Sequence, residues 1–211
     1  MVKLICFDMD GVIFNTKNFW IDLHKELGTL EEGKKLTTQY LHADYHKLVE
    51  EVVQRLWKGK PAAPYYNLIK SLKYVPGAKA VFREIKNNDW LTALISSGSI
   101  DAARRAQHEL GIDYIYANEL VIKDNIITGE FVWPIAAGNE KKVQIIQHLC
   151  QDLGIEPKDV IYVGDSDTDL HAFQFVGTSI AFNSSSETLQ KAATHIIHGK
   201  NLKKILPFIH E

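Results

Sequence analysis

Two aspartates one residue apart follow a short apolar run near the start of the chain. The run from Leu4 to Phe7 is suited to a buried parallel strand, and Asp8, Asp10 and Gly11 come directly after it. Residues two apart on a strand face the same side, so both acids could point into the crevice where open α/β sheets bind ligands. Burying two like charges together is costly unless a cation or a proton compensates. The pair therefore indicates a functional site in which a cation or a proton compensates the two charges, and the alternative is an exposed acidic turn.

Three further polar groups lie at the ends of predicted strands or at the start of a helix. Residues 96–98 (Ser-Ser-Gly) and residues 164–169, which hold three aspartates, each follow a strand, whereas Lys142 begins a helix. The carboxyl ends of parallel strands meet at one edge of a sheet. Carboxylates with phosphate oxygens suit Mg²⁺, and a lysine supplies a compact positive charge for a phosphoryl group. The set predicts a site for a divalent cation and a phosphate.

Strands that alternate with helices must position these groups. The alternation predicts βαβ units and an α/β fold with a Rossmann-like, mainly parallel sheet. Predicted strands cover 91–95, 114–116, 160–163, 179–182 and 195–197, predicted helices cover 78–87, 101–110 and 139–153, and a predicted hairpin covers 119–132 with its turn at 123–125.

Residues 15–75 have a different pattern from the rest of the chain. Phe19, Leu23 and Leu27 share a helical face, and the segment holds no convincing strand. We therefore predict a small helical insertion at 15–75 within an α/β core formed by 1–14 and 76–211. The aromatic residues of this segment are more typical of a core or an interface than of ligand contacts.

The composition is that of an ordinary soluble globular protein. The 211 residues are 45% hydrophobic and 24% charged with a net charge of -2, so nothing suggests nucleic acid or a membrane as partner. Two cysteines, Cys6 and Cys150, make no disulfide framework, and reduced thiols in the cytoplasm are the simpler interpretation. His42 and His46 share a helical spacing but lack a third ligand, which favours a solvated face over a zinc site. The oligomeric state is not predicted.

The ordered set of polar groups resembles the four motifs of the haloacid dehalogenase superfamily of phosphohydrolases. Residues 8–12 match the first motif, 97–98 the second, Lys142 the third and 164–169 the fourth. The helical cap after the first motif and the segment 116–125 are most similar to the phosphoserine phosphatase subgroup. The resemblance implies Mg²⁺-dependent hydrolysis of a small phosphorylated metabolite through an aspartyl-phosphate intermediate.

The resemblance also implies a role for each matching residue. Asp8 would be the nucleophile and Asp10 the general acid and base, while Asp8, Asp165 and the main-chain carbonyl of Asp10 would hold the metal. The remaining implied roles are phosphate binding by Ser97 and by the amides near Gly11 and Gly98, charge neutralisation by Lys142, and orientation of Lys142 or a metal-bound water by Asp169. Ser96 competes with Ser97, and Lys141 competes with Lys142.

The residues that would read the substrate match the subgroup less well. Lys17 occupies the region where the subgroup places a glutamate, and Arg55 is an approximate counterpart of its arginine. Lys17 facing the pocket would favour a second anionic group on the substrate, whereas a surface lysine is the alternative. Other functions on the same set are a phosphotransferase or phosphomutase, a catalytically weak binding or regulatory domain, and a dehalogenase.

Overall fold

The computed structural model describes residues 3–41, 43–135 and 140–210. Seven strands form one sheet in the order β4-β3-β2-β1-β5-β6-β7. The strands are β1 (Leu4–Phe7), β2 (Leu91–Ser99), β3 (Tyr114–Lys123), β4 (Ile126–Val132), β5 (Val160–Gly164), β6 (Thr178–Phe182) and β7 (His195–Ile197). Neighbouring strands pair in parallel, except that β3 and β4 are antiparallel. The predicted α/β fold with a mainly parallel sheet is confirmed.

Helices cover both faces of the sheet. They are α5 (Ala78–Asn87), α6 (Ile100–Leu110), α7 (Lys141–Leu153), α8 (Leu170–Phe175), α9 (Glu187–Ala192) and α10 (Leu206–Ile209), with 3₁₀ turns at Pro157–Asp159, Asp167–Asp169 and Leu202–Ile205. In the central strand β1, Ile5 and Phe7 pack in one buried cluster, and Leu4 and Cys6 pack in the other. Successive side chains thus serve opposite faces, which explains why the strand is continuously apolar.

Helices also fill the segment predicted as a cap. They are α1 (Phe19–Glu26), α2 (Leu30–Tyr40), α3 (Tyr45–Val49), a π-helical stretch (Glu50–Trp57) and α4 (Ala63–Ser71). Asn18 caps α1, since its side chain accepts a hydrogen bond from Ile21 N at 3.0 Å, and Phe19, Leu23 and Leu27 are all buried. The described residues between 15 and 75 contain no strand, in agreement with the helical pattern. The division into core and cap domains stays a prediction.

Two strands are longer than the sequence suggests. β2 continues through 96–99, which we expected to be a loop, and its register against β3 shifts between Ile95 and Ser99. β3 is continuous from Tyr114 to Lys123, so the predicted short strand and the first arm of the hairpin are one element. The turn falls where predicted, at Asp124 and Asn125, whose φ values of 50° and 60° fit a two-residue hairpin turn. β2 ends beside the loop after β1, where Gly98 lies close to Met9 and Asp10.

Other expectations from the sequence concern membrane-spanning helices, the cysteines and two positions outside the described ranges. No helix among the described residues is long and apolar enough to cross a membrane. Cys6 and Cys150 are buried and free, as the sequence suggests. His42 and the predicted helix start at Asn139 lie outside the described residues.

Candidate active site

The loop after β1 brings Asp8 and Asp10 to the carboxyl edge of the sheet. Asp8 N continues the ladder by donating to Val163 O at 2.9 Å, and the Asp8 side chain is almost fully buried. The loop turns at Gly11, whose φ is +78°, a conformation that favours glycine. A Cβ on Gly11 would lie 2.0 Å from Asp165 Oδ2, so the missing side chain lets the two motifs meet.

Asp169 lies on the opposite side of the site and accepts four hydrogen bonds. Its Oδ2 accepts hydrogen bonds from the backbone N of Asp165 and Ser166 at 3.1 and 3.2 Å. Its Oδ1 accepts from Lys142 Nζ at 2.6 Å and from the Tyr162 hydroxyl at 3.0 Å. Both oxygens are thus occupied by protein donors, so Asp169 holds Lys142, Tyr162 and the 165–166 backbone in place.

Lys142 lies between two of the acids. Its Nζ is 3.2 Å from Asp8 Oδ1 as well as 2.6 Å from Asp169 Oδ1, and the residue is 2% exposed. Burial alone would lower the pKa of Lys142, but the carboxylates of Asp169 and Asp8 outweigh burial and raise it. The competing Lys141 is exposed and bonds to Gln144. Of the two lysines, Lys142 is the one placed among the acids.

The site holds more negative charge than one lysine can neutralise. Burial raises the pKa of Asp10 to about 7 against the hydrogen bond from Phe19 N, and raises the pKa of Asp165 to about 8 with help from Asp8 and Asp169. Burial also raises the pKa of Asp8, although Lys142 opposes the shift. Burial is the largest cause of all three shifts, and the neighbouring carboxylates add to it.

The donor set fits a divalent cation. One carboxylate oxygen from each of Asp8, Asp165 and Asp169 lies within 4.8 Å of the others. Asp10 Oδ1 is buried without a hydrogen-bond partner, and Asp8 Oδ1 is buried with only the ion pair to Lys142. Unpaired buried carboxylate oxygens are hard ligands of the kind that Mg²⁺ prefers.

The end of β2 adds a hydroxyl to the acids. Ser96 is buried beside Asp8, where its hydroxyl weakly opposes the rise that burial causes in the pKa of Asp8, and its Oγ accepts from Gly98 N at 3.2 Å. Ser97 takes part through its main chain, since its carbonyl oxygen accepts from Trp20 Nε1 at 2.8 Å and Asn118 Nδ2 at 2.9 Å. This geometry favours Ser96 over our preferred Ser97 as the serine beside Asp8. The sequence did not separate the two serines, because which of them faces Asp8 depends on how β2 continues beyond Ile95.

Gly98 lies close to the loop after β1 and has an ordinary backbone conformation. A Cβ at Gly98 would lie 2.5 Å from Met9 Cε and 3.8 Å from Asp10 Oδ1. The strand end and the acidic loop therefore touch at this glycine.

Comparison with known proteins identifies the family of the chain. The profile of the family described as haloacid dehalogenase-like hydrolase matches residues 2–177. The chain belongs to this hydrolase family. A phosphoserine phosphatase of Methanocaldococcus jannaschii is 30% identical, over 98% of this chain and 97% of the relative.

Solved structures agree with the family assignment. A phospho-aspartyl intermediate analogue of phosphoserine phosphatase has a TM-score of 0.87 and 29% identity, covering 99% of each chain. A substrate-bound phosphoserine phosphatase complex also has a TM-score of 0.87, with 28% identity and 99% of each chain covered. The resemblance inferred from the motifs is confirmed, and this hydrolase is a phosphatase.

The two candidate substrate-reading residues of the hydrolase lie in different places. Lys17 is exposed and lines a polar cleft together with Gly11 and Asp165. Arg55 is on the surface of the π-helical stretch, where it pairs with Glu51 at 2.6 Å and Glu32 at 3.0 Å. The structure therefore brings Lys17, but not Arg55, to the acids among the residues it describes. Their binding roles stay predictions.

The sequence predicted no site role for Tyr162, Asn118 or Trp20. Tyr162, in β5, orients Asp169, and Asn118, in β3, is fully buried and bonds to Ile135 N and O as well as to Ser97 O. A polar side chain inside an apolar strand was the available signal for Asn118. Trp20 had no such signal, because an aromatic residue on a helix most often belongs to the core.

Proposed function

We propose that this protein is a Mg²⁺-dependent phosphatase that hydrolyses a small phosphomonoester through a phosphoryl group carried by Asp8. The observation that supports this most directly is the set of carboxylates of Asp8, Asp165 and Asp169, within 4.8 Å of one another and anchored by the buried Lys142. A structural role alone would not explain so many buried acids around one cation.

Asp8 and Asp10 divide the proton and phosphoryl transfers between them. A carboxylate oxygen of Asp8 bonds to phosphorus while the bond from phosphorus to the alcohol oxygen breaks, and Asp10 gives that oxygen its proton. A pKa of about 7 suits Asp10 to this exchange near neutral pH. In the second step Asp10 takes a proton from water, the water oxygen bonds to phosphorus, and Asp8 leaves as a carboxylate with release of inorganic phosphate.

The phosphoryl oxygens would be received by groups already positioned around Asp8. Lys142 offers positive charge 3.2 Å from Asp8 Oδ1. The contact of Ser96 with Asp8 supports a phosphate-binding hydroxyl at Ser96, in place of Ser97. The main chain near Gly11 and Gly98 can approach closely because neither residue carries a Cβ.

Asp8, Asp165 and the main-chain carbonyl of Asp10 would hold Mg²⁺. When bound, the ion would supply the positive charge that orients the phosphoryl oxygens and favours the ionised form of the acids. Asp169 would keep Lys142 and the 165–166 backbone in place through its four hydrogen bonds.

The substrate would be a small metabolite. Residues 15–75 would form a cap domain over a core of 1–14 and 76–211, which would exclude water and bulky phosphoproteins. The relatives named phosphoserine phosphatases support a small phosphorylated substrate, and phosphoserine is the first compound to test. The two free cysteines support a cytoplasmic protein.

The test is phosphate release from a panel of small phosphomonoesters with and without Mg²⁺, with Asp8→Asn as the control. Mg²⁺-dependent release that falls at least about a hundredfold in Asp8→Asn is expected. Residual activity within about tenfold of the wild type would exclude Asp8 as the nucleophile. Transfer to an added alcohol instead of water would identify a phosphotransferase, and no turnover in a folded protein would favour a regulatory domain.

A further inference from the structure

We propose that a cavity under the cap helices binds the leaving group of the substrate and selects an uncharged, apolar group about the size of one ring. This inference rests on the proposed phosphatase function and adds the class of alcohol that is released. The cavity, here called the cap cavity, has apolar walls that include Trp20, Tyr45, Val49, Val53, Trp57 and Phe131.

The cap cavity adjoins the acid that would protonate the leaving oxygen. Asp10 Oδ2 accepts a hydrogen bond from Phe19 N at 2.7 Å, and the next residue, Trp20, forms part of the cavity wall. The Trp20 indole in turn bonds to Ser97 O at 2.8 Å, and Ser97 also lines the cavity. Asp10 does not itself line the cavity, but Trp20 and Ser97 do, and they adjoin Phe19, which bonds to Asp10, and Ser96 at the end of β2. An alcohol whose oxygen lies next to Asp10 is therefore close to the cavity.

The cavity offers no charged partner to a substrate. Among the described residues that line it, none is Asp, Glu, Lys or Arg. The one titratable imidazole, His24, is neutral at physiological pH because burial lowers its pKa to about 4. The one arginine of residues 15–75, Arg55, does not line the cavity and pairs with Glu51 and Glu32 on the surface.

A zwitterionic leaving group is poorly matched to these walls. The alcohol of phosphoserine carries an ammonium and a carboxylate, which would both lose hydration without gaining an opposite charge. The neutral polar groups at the cavity, such as Asn18, Thr37 and Thr168, could accept or donate single hydrogen bonds but could not neutralise either charge.

The size and shape of the cavity favour a flat or branched apolar group. The cavity has a volume of about 130 Å³, close to that of engineered apolar cavities that take up benzene. Two of its rings, those of Trp20 and Phe131, are arranged edge to face, with centroids 5.2 Å apart and an angle of 72° between them. Such walls suit an aromatic ring or a branched alkyl chain.

The test compares kcat/KM for benzyl phosphate, phosphoserine and methyl phosphate in the presence of Mg²⁺. These are esters of alkyl alcohols, so the reactivities of the leaving groups are similar. We expect benzyl phosphate to be preferred over phosphoserine by at least about a hundredfold, as for a pocket that leaves charges unpaired. A kcat/KM for phosphoserine equal to or above that for benzyl phosphate would overturn the inference while leaving the phosphatase function intact.

A pair of variants tests the location. Val49→Phe would fill the cavity, so the ratio of kcat/KM for benzyl phosphate to that for methyl phosphate should fall at least about tenfold. Gln54→Phe adds the same ring to an exposed position of the π-helical stretch and should leave the ratio unchanged. An unchanged ratio in Val49→Phe would place the leaving group elsewhere.

A binding measurement separates failure of the inference from failure of the function. If no ester is hydrolysed, the phosphonate analogues of benzyl phosphate and phosphoserine, with a methylene in place of the bridging oxygen, are titrated by calorimetry. Tighter binding of the benzyl analogue would support the cavity assignment without turnover, and equal or weaker binding would refute it.

Discussion

Lys142 donates to Asp169 across a 2.6 Å hydrogen bond, and neither side chain is more than 3% exposed. The pair joins the start of α7 to the 3₁₀ turn after β5, two elements 27 residues apart in the chain. Because Lys142 also contacts Asp8, one ammonium group connects the loop after β1 to the acids after β5.

Replacing Lys142 tests this connection. Lys142→Met should lower the free energy of unfolding by about 3 kcal/mol, since it leaves buried carboxylates without their cation. Phosphate release should fall at least about a hundredfold, because the charge beside the phosphoryl group is lost. Lys141→Met is the matched control and should change neither quantity appreciably. Urea unfolding and a phosphate assay measure both, and equal effects of the two variants would contradict the assignment.

The two adjacent serines should differ in their effect on catalysis. Ser96→Ala removes the hydroxyl that bonds to Asp8, so kcat should fall at least about tenfold. Ser97→Ala keeps the carbonyl oxygen that receives Trp20 and Asn118, so kcat should change less than about threefold. Steady-state kinetics on one substrate decides between them. A larger loss in Ser97→Ala would instead identify Ser97 as the phosphate-binding serine.

Mg²⁺ should stabilise the folded protein in the absence of substrate. At a concentration a hundred times its Kd, the gain is about 2.7 kcal/mol, because the ion binds only the assembled acids. Asp165→Asn should remove most of the rise in Tm. Asp167→Asn, at an exposed position that bonds to Ser186, should retain it. Thermal denaturation with and without Mg²⁺ is the measurement, and an equal rise in Asp165→Asn would argue against Asp165 as a ligand.

His24 should make the stability of the protein depend on pH. Burial lowers its pKa from 6.5 to about 4, so the unfolded chain binds a proton that the folded chain excludes. Stability is therefore unaffected above pH 6.5 and is lost as the pH falls toward 4, by about 3 kcal/mol in total.

The structural cause is the packing of the imidazole. Its Nδ1 lies 2.7 Å from Thr29 Oγ1, its ring centroid is 4.6 Å from that of Trp57, and Gly33 leaves room for the ring. In His24→Gln, urea unfolding between pH 4 and 7 should show a shallower fall in stability. His46→Gln, at an exposed position, is the control. An equal slope in wild type and His24→Gln would contradict the prediction.

The sequence was sufficient for the chemistry of the site. Asp8, Asp10 and Asp165 are recognisable because charged residues directly after apolar strands are costly unless they act together, whereas Lys142, at a helix start, is recognisable only by its match to the third family motif. The spacing of apolar residues predicted the strands of the mainly parallel sheet and the helices of residues 15–75, since strand and helix periods depend on local spacing alone.

Tertiary structure decided the features that depend on which side chains meet. Ser96 and Ser97 have the same chemistry, and only the extended β2 turns Ser96 toward Asp8. The positions of Arg55, on the surface beside Glu51 and Glu32, and of Trp20, in the wall of the cap cavity, likewise follow from packing between segments far apart in the chain. A single sequence encodes residue types and local spacing, but the charge and shape of a cavity arise from its walls, and those are brought together only by the fold.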